Sequence, residues 1–181
     1  MAKVVNLIQI FREDLSAEDY YIALEILKDH AVFFTLVRDE KTNIRIRLLK
    51  ENERKLFNGF YRFLNDKWEQ AHVDLEDHRV ETRVVTKTLP EITLCCDNLV
   101  LDLYYLNEQT VNILKMNAKG FFSLFMYGLA FFDKNMCQVL VSVCLEDTGY
   151  VINNAVAREF IDRLESFTFE NRVFNGTEMF M

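Results

Sequence analysis

The stretch from Ile92 to Leu145 constrains this chain more than any other. It is apolar and strand-like through most of its length and contains no histidine and no arginine. β-Branched, aromatic and aliphatic residues in such density suit a pleated, half-buried surface. They offer little to proton transfer or phosphate binding. The strands read from it carry apolar residues on both faces. In Leu99–Leu106, Leu99, Leu101, Leu103 and Tyr105 alternate with Val100, Tyr104 and Leu106, and Asp102 is the exception. A sheet with one wet face does not look like this, so both faces are expected to be covered.

The rest of the composition supports a single domain. A chain of 181 residues is long enough to bury roughly 70% of its unfolded surface, so it needs neither metal nor disulfide to fold. Half of it is apolar, with sixteen Phe, and one Pro and five Gly leave no linker or low-complexity segment. A net charge of −7 argues against wholesale binding of duplex DNA, which needs a basic footprint, and suits a basic partner. Phe11-Arg12-Glu13-Asp14 interrupts the first apolar run before it takes the form of a signal peptide. The longest apolar block, Phe121 to Phe132, is shorter than the about 20 residues a spanning helix needs. A cytoplasmic protein is expected, without membrane association. Cys95, Cys96, Cys137 and Cys144 follow no metal-ligand spacing. They read as buried, reduced thiols, and no cofactor is expected.

Along the chain, Val4–Phe11 reads as a strand. Ser16 and Asp19 then open an amphipathic helix to Asp29, with Tyr20, Leu24 and Leu27 on one stripe and Ile22 and Ile26 beside it. Ala31–Val37 and Ile44–Leu48 are strands. Glu51–Gln70 is a helix with Phe60, Leu64 and Trp68 facing inward, and Ala71–His78 a polar surface loop. Strands follow at Val80–Thr88, Ile92–Cys96, Leu99–Leu106 and Thr110–Met116, the last two joined by a hairpin turn at Asn107-Glu108-Gln109. Phe121–Phe132 and Cys137–Leu145 form another hairpin across Asp133-Lys134-Asn135. The last helix runs over 154–167, striped by Val156, Phe160, Leu164 and Phe167. The fold class is therefore α+β, a mainly antiparallel sheet with about three helices and a β-α-β-β-α-β order in the N-terminal half. Residues 1–167 form one domain, and 168–181 a C-terminal aromatic tail.

Two polar clusters compete with a purely structural reading. In His72-Val-Asp-Leu-Glu-Asp-His78, imidazoles and carboxylates have the chemistry for a divalent metal. The six-residue histidine spacing matches neither helical ligand pairs nor zinc loops, so a solvated turn is expected and no metal. Arg38, Arg45, Arg47, Lys50 and Arg54 gather positive charge on and beside one strand. That is a means of holding single-stranded nucleic acid or another anion. The neighbouring aromatics fall on core stripes, which makes this the alternative. No Gly-rich phosphate loop or nucleophile elbow is present, and an enzyme is the least supported class.

The terminal segment points to association. Phe169, Phe174, Met179 and Phe180 crowd a region that is usually polar and mobile. The expected function is a non-enzymatic interaction or assembly subunit. It would self-associate, most simply as a dimer, or bind a protein partner through its apolar strands and this tail.

Overall fold

Alternation along the strands builds two opposite apolar surfaces into one antiparallel sheet. The computed structural model describes residues 5–11, 17–37, 70–85, 99–117, 129–143, 148–165 and 169–174. The strands are β1 (Val5–Phe11), β2 (Phe33–Val37), β3 (Arg79–Val85), β4 (Leu99–Tyr105), β5 (Ala130–Phe132), β6 (Gln138–Val143), β7 (Thr148–Val151) and β8 (Phe169–Phe174). They lie in the order β3-β4-β2-β5-β6-β7-β1-β8, and every neighbouring pair is antiparallel. With the helices α1 (Ala17–His30), α2 (Glu108–Asn117) and α3 (Asn154–Arg163), the chain is α+β, as its patterning predicts.

Two rows of side chains run across the sheet. On one face Tyr104, Phe34, Phe131, Leu140 and Val151 succeed one another from β4 to β7. All five are buried in one core with Tyr20, Leu24, Ile26 and Leu27 of α1, Val111 and Leu114 of α2, and Val156 and Phe160 of α3. The α1 and α3 stripes expected from periodicity are thus the ones that pack, and Phe167 lies outside the described residues. On the other face Leu103, Thr35, Ala130, Val141 and Tyr150 form the second row, also buried. Cover on both faces is therefore reached within a single chain at these positions.

Helix α1 packs against both α2 and α3, and charge reinforces the first contact. Glu25 lies 2.6 Å from Lys28 and 2.5 Å from Lys115 of α2, while Lys28 also reaches Glu108 at 2.5 Å. The hydrogen bond from Lys115, then that from Lys28, holds the Glu25 carboxyl below the usual carboxylate range. A carboxylate depressed on folding contributes stability above its unfolded pKa and loses it as pH falls through the folded value. Glu25→Gln should therefore cost at most about 1 kcal/mol at pH 7, because solvent screens the pair. The deficit should shrink as pH falls below 4.5. Urea denaturation of both proteins at pH 7 and in acid checks this; a deficit unchanged by pH would exclude the ion pairs as its source.

The structure corrects three expectations. Thr110–Met116 is not a strand but the body of α2, and Asn107-Glu108-Gln109 is a helix start rather than a hairpin turn. Asn107 Oδ1 accepts from the amides of Gln109 and Thr110 at 3.0 Å each, while Thr110 Oγ1 accepts from the Asn107 amide at 2.9 Å. That reciprocal bonding is a capping box with Thr in the usual Glu position. Ala71–His78 is not a loop: residues 70–75 are helical and Glu76–His78 is a 3₁₀ turn. Its anchors Ala71 and Leu75 are buried at helical spacing. Within the segment expected as a tail, residues 169–174 form β8, which pairs with β1 from Val5 opposite Phe174 to Ile10 opposite Phe169. Strand Ile44–Leu48, strand Ile92–Cys96 and nearly all of helix Glu51–Gln70, with Phe60, Leu64 and Trp68, lie outside the described residues.

The turn read at Asp133-Lys134-Asn135 is present. Asp133 closes the β5–β6 hairpin, its Oδ1 accepting from the amides of Asn135 and Cys137 at 2.8 Å each. Asn153 caps α3, its Oδ1 accepting from Ala155 at 2.9 Å.

Candidate functional site

The one acid in the apolar strand β4 organises the most developed polar cluster among the described residues. Asp102 stands on the helix-side face, opposite Leu36 on β2 and Thr82 on β3, and is fully buried. A buried carboxylate is costly unless hydrogen bonds replace its water. Thr82 Oγ1 donates to its Oδ1, and the Tyr104 hydroxyl lies 3.3 Å from its Oδ2. His72 Nδ1 in turn lies 2.6 Å from the Tyr104 hydroxyl and 3.5 Å from Asp102 Oδ2. Tyr104 has one proton, and with that proton on Asp102 the short contact requires a hydrogen on His72 Nδ1.

The network continues toward the surface. Arg79 donates to Thr82 Oγ1 at 2.9 Å and pairs with Glu76. That hydrogen bond to Glu76 is the main reason the Arg79 guanidinium is held above its already high ordinary pKa. A β-bulge makes the geometry possible. The register passes from Arg79 opposite Tyr104 to Glu81 opposite Leu103, leaving Val80 as an extra residue. Without it, residues 79 and 82 would point to opposite faces of the strand; with it they share one. The donors run inward from both sides, from Arg79 through Thr82 and from His72 through Tyr104, and end on Asp102.

The segment carrying His72 is held by the burial of Ala71 and Leu75 and by Gln70, which donates to Asp74 at 2.7 Å. Tyr104 stacks on Phe34 with ring centroids 5.3 Å apart, so the polar network sits directly on the aromatic core. Chemically the arrangement ties the His72 ring to Tyr104 and fastens the helix ending at Leu75 to the β3–β4 edge. Asp102 itself has no surface to offer a substrate.

The structure disposes of the expected site residues unevenly. His72 and His78 do not converge. His78 Nδ1 lies 3.5 Å from the Asn107 side chain at the start of α2. Among the described residues no three His, Cys, Asp or Glu side chains gather as a metal would need. Phe169 and Phe174 are the end positions of β8, and Met179 and Phe180 lie outside the described residues. So do Arg38, Arg45, Arg47, Lys50 and Arg54. Of the cysteines expected to be buried, Cys137 is a free thiol and exposed, because it follows the hairpin turn that Asp133 closes. No helix among the described residues is long and apolar enough to cross a membrane. The Asp102 network was missed as a site; its signal was an acid in a strand otherwise apolar on both faces. No protein-family model, no curated protein and no solved structure matches the chain.

Proposed function

We propose that this chain is a non-enzymatic assembly subunit that extends its sheet by pairing with another protein strand, in the first place that of a second copy. The observation that carries this reading is the position of β8. It closes the strand order beside β1 and, among the described residues, has no strand on its other side. An edge of this kind presents a row of main-chain donors and acceptors ready for a further strand. The central row of the sheet's second face, Leu103 to Tyr150, is already buried, so the contact belongs to the edge rather than to that face. Phe169 and Phe174 are the end positions of that edge strand, β8. The Asp102 network sits near the opposite edge, where it ties β3 and β4 to the segment carrying His72.

Sedimentation equilibrium between 1 and 100 µM tests the reading. The expected result is a mass of two chains that falls toward one chain on dilution. A single-chain mass throughout that range would overturn self-association.

A further inference from the structure

We propose that β8 pairs with β8 of a second copy, antiparallel and centred on Asn171, giving a continuous sheet through both chains; this rests on the assembly reading above and names its contact. The sequence of β8 is Phe169-Glu170-Asn171-Arg172-Val173-Phe174. Set against itself in the antiparallel sense about Asn171, it places Glu170 across from Arg172 of the second copy, and Arg172 across from its Glu170. Phe169 and Val173 likewise stand opposite each other across the join. Opposite charges and apolar pairs at directly opposed positions are the units that stabilise a sheet.

The register is also the one the charges permit. The next symmetric registers to either side centre the twofold on Arg172 or on Glu170 and put like charges opposite each other, which destabilises. Two charges of opposite sign, one on either side of a central Asn, therefore select a single pairing and oppose its neighbours. On the intramolecular side the directly opposed positions hold no opposite charge: Glu170 stands across from Gln9, and Arg172 across from Leu7. The charge pattern of β8 is thus unmatched across its own ladder and complementary to its own copy.

Charge reversal tests this on the full chain. Glu170→Arg and Arg172→Glu should each raise the dimer dissociation constant at least about tenfold, a change of about 1.4 kcal/mol. The double exchange, Glu170→Arg with Arg172→Glu, should return it to within about threefold of the unaltered protein. Circular dichroism and thermal melting confirm that each variant folds. Asn171→Cys gives an independent reading, because a twofold through this position sets the two Cα atoms about 4.5–5.5 Å apart, within disulfide reach. Mild oxidation should link this variant into a covalent dimer well beyond the background set by the native thiols. A dimer indifferent to both reversals, or an Asn171→Cys dimer that does not cross-link, would overturn the β8 contact while leaving assembly through another surface. A single-chain mass for the unaltered protein would overturn both.

Discussion

Replacing Phe34 with alanine should destabilise the fold by about 3–5 kcal/mol, the usual cost of removing a fully buried aromatic ring. Phe34 is at the centre of the helix-side row, fully buried. Its ring lies 5.3 Å from Tyr104 and 6.1 Å from Phe131, one on each neighbouring strand. Deletion leaves a cavity in the core that the sheet shares with α1. For a domain of this size such a loss corresponds to a fall in Tm of about 10 °C. Urea denaturation gives the free energy and calorimetry the midpoint. A loss below about 1 kcal/mol would show that the ring does not anchor this core.

Asp102→Ala should follow, at about 3 kcal/mol, by a different mechanism. The substitution removes the acceptor that the Thr82 and Tyr104 hydroxyls share and leaves the buried Tyr104 hydroxyl one hydrogen bond short, with His72 still beside it. Hydrogen bonds to a carboxylate contribute about 1.5–3 kcal/mol each, and the longer one from Tyr104 falls at the low end. Its distinguishing mark is non-additivity. In the wild type, Tyr104→Phe removes a hydroxyl that Asp102 and His72 both use. In the Asp102→Ala background it removes one that has already lost a partner, so it should cost about 1 kcal/mol less. Four denaturation curves close the cycle. Strict additivity would mean that the two side chains act separately, and that the hydrogen bonds contribute nothing as a network.

These two predictions lie on opposite sides of what the sequence made legible. Tyr20, Leu24 and Leu27 in α1 and Val156 and Phe160 in α3 repeat with the helical period, which only one packing satisfies. Leu99–Tyr105 likewise reads as a strand with two apolar faces, because parity alone decides it. Thr110–Met116 was illegible by period: Val111, Ile113, Leu114 and Met116 fit alternation and helical spacing about equally well. The deciding information was local, the reciprocal bonding of Asn107 and Thr110, and the same residues resemble a turn when side-chain geometry is unknown. His72 was visible as chemistry but not as a member of this site. Its partners come from β4 and β3, and the bulge at Val80 that aligns Arg79 with Thr82 leaves no mark in composition. Long-range pairings of this kind depend on register, which a one-residue insertion reverses.

The position of β1 in the strand order bears on how the molecule is made. β1 is flanked by β7 and β8, with Ile8 opposite Val151 and Leu7 opposite Arg172, so both of its neighbours are synthesised after nearly everything else described. On the ribosome the apolar segment Val-Asn-Leu-Ile-Gln-Ile-Phe therefore lacks its ladder partners while the intervening strands are being made. Closing so large a loop in the chain raises the contact order and slows folding. An exposed apolar strand in a nascent chain also invites wrong pairings. Helix α1, which follows β1 directly, can form early because its hydrogen bonds are local. The part of the sheet from β3 to β6 can assemble before β7, β1 and β8 are joined to it, which would make the earliest-synthesised of the described strands among the last to find its place.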